Sequence, residues 1–207
     1  TAGFSVVTYT GNGVDGATVG HGLGVTPKWF FIKARGAVTN WTSYHQPLGN
    51  GAGLHINTTG GSDTNSGFFN NTSPNSTTFT LGSGSTVNTN GGTYVAYCFA
   101  EVAGYSKFGS YTGNGSADGP FIYTGFRPKY LMIKRITNTD NWNISDTSRD
   151  PYNIVGNELY ANLSNAESTS QARYDILSNG FKIRTGGSSF NGSSNDYIYA
   201  AFAEFPF

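Results

Sequence analysis

The sequence predicts an all-β protein made of two tandem, duplicated β-sandwich copies of jelly-roll type that pack together. Three observations predict this class. Short runs of β-branched and aromatic residues alternate with glycine-rich turns, no segment has a convincing 3.6-residue periodicity, and one set of motifs occurs twice in the same order. Many short strands joined by such turns are typical of sandwiches and jelly rolls.

Each copy contains strand segments in the same order. Residues 4–9 form a short β-branched and aromatic run that ends in a Gly-Asn-Gly turn. Pro27 and Pro128 each begin a strand, a position at which a missing backbone N–H is harmless. The segments 93–102 and 197–205 are apolar on both alternating faces, which predicts closing strands that are covered on both sides, as in a central sandwich position or under the other copy.

The repeated motifs define the domain boundary. Tyr-Thr-Gly-Asn-Gly occurs at residues 9–13 and again at 111–115, and the other matches keep nearly the same spacing. This order predicts two domains, residues 1–103 and 104–207, with no long linker between them, so we expect the copies to pack against each other. The only possible short helix is residues 162–173, for which we predict a loop.

Composition argues against several classes of function. Phe (15) and Tyr (13) are numerous enough to build a core, whereas 12% of residues are charged and the formal net charge is +0. Without a basic excess to neutralise phosphates, no nucleic-acid partner is expected. The longest apolar run, residues 29–32, is strand-sized, so no membrane insertion is expected either. Because the chain opens without Met, we expect a fragment or processed product of a longer surface protein.

The two copies differ in charge. Six of the 24 charged residues lie in the first copy and the other eighteen in the second, whereas all three histidines lie in the first. One copy is therefore expected to have a surface of amides and hydroxyls. The one cysteine, Cys98, cannot form an internal disulfide and lies in an aromatic strand, where we predict an inert, buried thiol.

The second copy resembles a repeat domain in structural proteins of tailed bacteriophages, especially tail-fibre proteins of marine phages. The resemblance rests on residues 111–115, 125–130, 146–150, 177–182 and 200–207. It implies a β-sandwich fibre or adhesin domain, located on the virion tail or surface or otherwise extracellular. It supplies no catalytic or binding residue. The first copy matches more weakly and departs from the second in its middle.

The sequence contains no recognisable catalytic or metal-binding motif. The chain has no phosphate-binding Gly-x-x-x-x-Gly-Lys-Ser/Thr and no Gly-x-Ser-x-Gly with a plausible triad. His45 and His55 have no carboxylate or cysteine at metal-ligand spacing. Residues 63–67 offer oxygens to Ca²⁺ but lack a closing Glu, so a polar loop is favoured. We therefore predict a protein that is not an enzyme and uses no cofactor or metal.

One carboxylate pair was weighed as a glycosidase site. Asp146 and Asp150, with Arg149 between them, form the densest charged cluster, and glycosidases place two carboxyl groups across one sugar. The first copy lacks both acids. A loop ion pair is the favoured alternative.

Aromatic residues after the Pro-Lys strands are the best binding candidates. A flat ring stacks on the C–H face of a sugar, while amide, carboxylate or guanidinium groups bond its hydroxyls. The predicted ligand-binding residues are Trp41, Tyr44, His45, Trp142, Asp146 and Arg149. The alternative, that both Trp residues belong to the core because both copies keep them in register, is favoured.

Two classes of function follow, both non-catalytic. In the first, the chain is a tail-fibre or adhesin module, a homotrimer, that binds a host-surface glycan or protein. In the second, it is a decoration protein that binds only other virion subunits. A glycan hydrolase is a third, weaker interpretation.

Overall fold

The computed structural model describes residues 3–169 and 171–205, and these residues form an all-β protein, as the sequence predicts. The chain divides into two compact units, Thr1–Glu101 and Val102–Phe207. Among the described residues, no helix is long and apolar enough to cross a membrane.

The first unit is built from short strands and two single-turn helices. Its strands are β1 (Phe4–Thr10), β2 (Ala17–Gly20), β3 (Trp29–Ala34), β4 (Thr42–His45), β5 (Ala52–His55), β6 (Asp63–Thr64), β7 (Thr78–Leu81) and β8 (Thr93–Phe99). Its helices are α1 (Ser66–Phe69) and α2 (Ser85–Asn88), with a 3₁₀ turn at Gln46–Leu48.

The second unit has the same kind of composition. Its strands are β9 (Ser106–Thr112), β10 (Phe121–Tyr123), β11 (Pro128–Arg135), β12 (Trp142–Asp146), β13 (Leu159–Tyr160), β14 (Tyr174–Leu177), β15 (Gly180–Ile183) and β16 (Asp196–Ala203), and its helix is α3 (Ser188–Asn191). The described part of 162–173 contains no helix, as predicted.

The main sheets of the two units have matching strand orders. The first is β1-β8-β3-β4-β5-β6 and the second, read from its other edge, is β9-β16-β11-β12-β13. The predicted closing strands, β8 and β16, both lie inside these sheets, each between two antiparallel neighbours. Their central position within the sheets is shown, but coverage of both faces differs: β16 is buried on both faces along most of its length, whereas β8 alternates buried and half-buried side chains.

A smaller sheet covers one face of each main sheet, which gives each unit a sandwich-like core. In the first unit β2 pairs with β7, and the ring of Phe79 lies 4.8 Å from that of Phe30 on β3. In the second unit the small sheet is β10-β15-β14, and Phe181 packs edge-on against Tyr199 at 5.4 Å. All four of these aromatic side chains are buried. Aromatic rings therefore supply much of the interior, as the composition predicts.

In the first unit, the Tyr-Thr-Gly-Asn-Gly motif connects the end of β1 to α2 through side-chain and backbone contacts. Tyr9 stacks on Tyr94 at 5.1 Å, and its hydroxyl donates to the Val87 carbonyl at 2.7 Å. A β-carbon at Gly11 would collide with the backbone after α2, so only glycine fits there. The backbone N–H of Asn12 donates to the buried side chain of Asn88 at 2.9 Å.

The second unit repeats these contacts. Tyr111 stacks on Tyr197 at 4.9 Å and donates to the carbonyl of Phe190 at 2.8 Å. Asn114 N–H donates to the buried Asn191 side chain at 2.8 Å. The most recognisable motif of the sequence is therefore structural in both units.

Cys98 lies on β8 and is fully buried in the core of the first unit. Burial raises the pKa of its thiol to about 12, against a weaker effect of the Ser5 hydrogen bond. The prediction of an inert core thiol is confirmed, since the reactive thiolate is disfavoured there.

Candidate functional site

Trp41 lies just before β4 on the outer face of the main sheet of the first unit, and it is half-buried. Its ring lies 6.0 Å from that of Phe31 and 6.2 Å from that of Tyr97, and the Lys33 ammonium lies 5.9 Å from its centroid. These neighbours hold the ring in place and leave part of it accessible.

Two asparagines border Trp41. The backbone N–H of Trp41 donates to Asn57 Oδ1 at 2.8 Å, and Asn57 Nδ2 donates to Asn40 Oδ1 at 3.1 Å. Asn57 is exposed and Asn40 is half-buried. The position therefore combines an aromatic ring with side-chain amides, which are the two kinds of group that a sugar site uses.

Tyr44 and His45, the two residues predicted to join Trp41, are buried on β4 at 3% and 1% exposure. Tyr44 stacks on Phe30 at 4.9 Å in the core, whereas His45 pairs across the sheet with Trp29 on the opposite face. Successive side chains of a strand point to opposite faces, so these two residues cannot line one surface. Of the three, only Trp41 presents accessible aromatic surface.

Trp142 begins β12 at the position that corresponds to Trp41, but it is buried at 2% exposure. Its backbone N–H donates to Asn162 Oδ1 at 2.9 Å, and Asn162 Nδ2 donates to Asn141 Oδ1 at 2.9 Å. The amide arrangement of the first unit is thus repeated around a ring that a ligand cannot reach. Trp142 is therefore buried, as expected from the alternative that both Trp residues belong to the core.

Asp146 and Arg149 form a closed local network at the end of β12. One carboxylate oxygen of Asp146 accepts the backbone N–H groups of Ser148 and Arg149, each at 2.9 Å, and the other pairs with Arg149 Nε at 2.8 Å. Arg149 also pairs with Glu167 at 3.3 Å. Burial opposes ionisation of Asp146, but the hydrogen bonds and charge of Arg149 outweigh it and hold the pKa of the carboxyl below its ordinary value.

Asp150 organises the loop that follows. Its Oδ2 accepts the N–H groups of Gly156 at 2.8 Å and Asn157 at 2.6 Å, and its Oδ1 accepts Asn157 Nδ2 at 2.8 Å. A small cleft bordered by Asp146 and Tyr174 has no room for a water molecule. Asp146 and Arg149 thus form the loop ion pair favoured from the sequence, and Asp150 accepts hydrogen bonds from the loop that follows.

All three histidines lie in the first unit, where the ring of His21 has a structural role. The ring of His21 is buried, with Nε2 3.0 Å from the carbonyl of Asn75 and Nδ1 accepting the N–H of Leu23 at 3.2 Å. Burial lowers the pKa of His55, and the charge of Asp63 opposes this shift. Within residues 3–169 and 171–205, no group of three or more His, Cys, Asp or Glu side chains is placed to hold a metal ion.

The loop weighed as a Ca²⁺ site begins a helix. Asp63 lies on the short strand β6, and Asn65 caps α1 by accepting the N–H of Gly67 at 2.9 Å. The side-chain oxygen of Asn65 therefore serves the backbone of α1, as in other helix N-caps.

A cavity that the sequence did not indicate lies at the end of β3 in the first unit. It has a volume of about 300 Å³ and is lined by the 34–39 segment, by α2 and by the turn before β8. The segments are about 50 residues apart in sequence, so no local pattern marks the cavity. The signal in the sequence is that Ala34 stands at the position where the second unit has Arg135.

Residues 1–206 match the model of a family described as Domain of unknown function (DUF7483). No curated protein matches the chain. No solved structure matches it either.

Proposed function

This chain belongs to the DUF7483 family of domains of unknown function, and we propose that it is a non-catalytic binding module of tail-fibre or adhesin type that recognises a host-surface glycan or protein. The observation that carries the proposal is the half-buried ring of Trp41, held by Phe31 and Tyr97 and bordered by Asn40 and Asn57.

The chemistry of this position favours a glycan over a charged partner. The accessible part of the Trp41 ring offers a surface for the C–H face of a sugar, and the neighbouring amides offer donors and acceptors for its hydroxyls. Because the chain has a formal net charge of +0, long-range steering contributes little and binding relies on short-range contacts. Such sites are shallow and weak individually. A homotrimeric fibre would raise the avidity by about 10² to 10⁴.

We also propose that the two units are duplicated copies of one jelly-roll-like sandwich. The matching strand orders and the repeated contacts of Tyr9 and Tyr111 support this history. The resemblance of the second copy to tailed-phage fibre repeats supports a location on the virion tail or surface.

The second candidate is a decoration protein that binds only other virion subunits. It is favoured by Phe4 and Val6, which are 46% and 52% exposed on β1, an edge strand of the main sheet. Exposed apolar side chains on an edge strand suit a protein partner better than a sugar.

The test compares binding of monomeric and multimerised protein to a glycan array and to a panel of bacterial cells. We expect the multimer to bind and Trp41→Ala to weaken binding about 10-fold or more, as the loss of one stacking ring does, whereas Trp41→Phe retains part of it. Val38→Ala is the control, because Val38 is fully exposed nearby.

Three results would contradict the proposal. If the multimer bound neither cells nor glycans while purified virion subunits captured it, the decoration function would replace it. If Trp41→Ala bound as well as the unchanged chain, the ligand would lie elsewhere. If a glycan were shortened, and Asp146→Asn stopped this, the chain would be a hydrolase.

A further inference from the structure

The cavity of the first unit has a filled counterpart in the second. Ala34 and Arg135 follow the two Pro-Lys strands at the same position, and they pair across the sheet with Tyr94 and Tyr197 respectively. The two tyrosines make the same contact, since each donates its hydroxyl to the first carbonyl of the short helix beside it. The tyrosine and the short helix beside this position, called the frame below, are therefore arranged in the same way in both units.

In the second unit Arg135 closes this frame. Its guanidinium donates to the carbonyls of Ser188, at 3.5 Å, and Thr139, and its Nε pairs with Asp140 at 3.4 Å. The side chains of Arg135 and Asp140 are only 13% and 12% exposed. An ion pair thus occupies the space.

In the first unit the two charged residues are replaced by small neutral ones. Ala34 stands in place of Arg135 and Thr39 in place of Asp140. The space that remains is the cavity of about 300 Å³, at the lower end of the range for small-molecule sites. Thr39 Oγ1 is buried at its wall, and no described residue forms a hydrogen bond with it.

The lining of the cavity selects against a cation. It contains no carboxylate, and the ammonium of neighbouring Lys33 donates to the Thr39 carbonyl. A guanidinium in the place of Arg135 would therefore be buried without a counter-ion and close to a positive charge, which is unfavourable. The lining instead combines small apolar side chains with the hydroxyls of Thr39, Ser85 and Thr89. An uncharged ligand with several hydroxyls fits this chemistry.

We infer that this cavity binds one uncharged sugar residue, with a ligand hydroxyl bonded to Thr39 Oγ1. The inference deepens the proposed function, on which it rests for its ligand class, by naming a second subsite that is built from residues other than Trp41. It gives the first unit a role that Arg135 prevents in the second.

The experiment titrates methyl glycosides of neutral hexoses and of N-acetylglucosamine into the full chain, followed by NMR shifts of the 34–39 and 89–94 amides. Binding at millimolar concentration is expected. Ala34→Arg with Thr39→Asp copies the filled corner of the second unit and should abolish it. Thr39→Val removes the hydroxyl at nearly constant volume and should weaken binding about 3- to 10-fold, the equivalent of one hydrogen bond.

The controls separate this inference from the proposed function. Trp41→Ala should leave glycoside binding in the cavity unchanged while it weakens attachment to cells. If the double variant still bound the glycosides at the same amides, or if no glycoside shifted them, the inference would be wrong even where Trp41 proved essential for attachment. Arginine and guanidinium are titrated in parallel, and binding of these cations alone would also overturn it. Thr39→Val covers the case in which the double variant does not fold.

Discussion

The two units place different side chains in the same frame. In the first, Ala34 and Thr39 leave a cavity; in the second, Arg135 and Asp140 fill it with an ion pair. The surrounding backbone is held by other side chains, the stacked tyrosines and a buried asparagine in each unit. Since that frame does not depend on the corner residues, they are free to differ, and a binding site can be opened or closed there.

The same contrast extends to the rest of the charge distribution. The first unit has six charged residues and the second eighteen, and the second unit uses many of them in ion pairs such as Arg127–Glu204, Lys182–Asp118 and Arg184–Asp175. Partly exposed pairs of this kind contribute little to stability. The difference therefore concerns surface chemistry more than the strength of the fold.

Lys33 and Lys134 occupy the same strand position in different surroundings. Lys33 is half-buried beside the Trp41 ring, whereas Lys134 is fully buried. Burial lowers the pKa of Lys134 to about 8, an effect that the charge of Asp140 opposes and that of Arg135 reinforces. The second unit therefore accommodates the buried ammonium group of Lys134, which lowers its stability.

The largest effect is expected from emptying the matched core positions. Phe79 and Phe181 are both fully buried on the small sheets, so Phe79→Ala and Phe181→Ala should each lower the free energy of unfolding by about 3 to 5 kcal/mol. Urea denaturation followed by tryptophan fluorescence measures this, with exposed Val38→Ala as control. A loss below about 1 kcal/mol in either unit would show that the two positions are not equivalent.

The second prediction uses the buried lysine. Its folded pKa lies below the ordinary value of 10.5, so the unfolded chain holds a proton that the folded chain has released between pH 8 and 10.5. The contribution of Lys134 to the free energy of unfolding therefore rises with pH across this window. Lys134→Met should remove that rise and add about 1 to 3 kcal/mol at pH 7, because the gain from removing a buried charge is offset in part by the lost hydrogen bond from Lys134 Nζ to the Arg135 carbonyl at 2.8 Å.

The measurement for this prediction is urea denaturation from pH 7 to 10.5. Lys33→Met is the matched control at the half-buried position. Identical pH profiles for Lys134→Met and the unchanged chain would contradict the cost assigned to burial.

The third prediction concerns the asparagines that hold the Gly-Asn-Gly turns. Asn88 donates to the carbonyls of Val14 and Gly82, each at 3.0 Å, and Asn191 makes the corresponding contacts in its unit. Asn88→Ala and Asn191→Ala should each cost about 2 to 3 kcal/mol, because buried backbone groups lose their partners. Thermal denaturation tests this, and unequal losses would show that one unit relies on the turn more than the other.

The smallest effect is expected at Arg135 and Asp140, the ion pair that fills the position of the cavity. Arg135→Ala should open a cavity in the second unit and cost about 1 to 2 kcal/mol, because Asp140 loses a partner 3.4 Å away while both side chains keep some contact with water. Arg135→Ala with Asp140→Thr copies the first unit and should recover part of that loss. Chemical denaturation of the two variants checks this order, and a double variant less stable than Arg135→Ala would reverse it.

The sequence by itself determined the all-β class and the position of several strands along the chain. Alternating aromatic and β-branched runs, glycine-rich turns and the segments apolar on both faces report local periodicity and burial, and these decide strand formation and central position. The burial of the Cys98 thiol was predictable for the same reason, since its neighbours on the strand are apolar.

Only the tertiary structure decided which candidates can meet a ligand. Tyr44 and His45 are neighbours in sequence but lie on opposite faces of a sheet, and Trp41 and Trp142 share a motif but differ in exposure. The cavity exists because the side chain of Ala34 is too short to fill it and because segments distant in sequence enclose it. Exposure and empty space are properties of how distant segments pack, so no local pattern of residues encodes them.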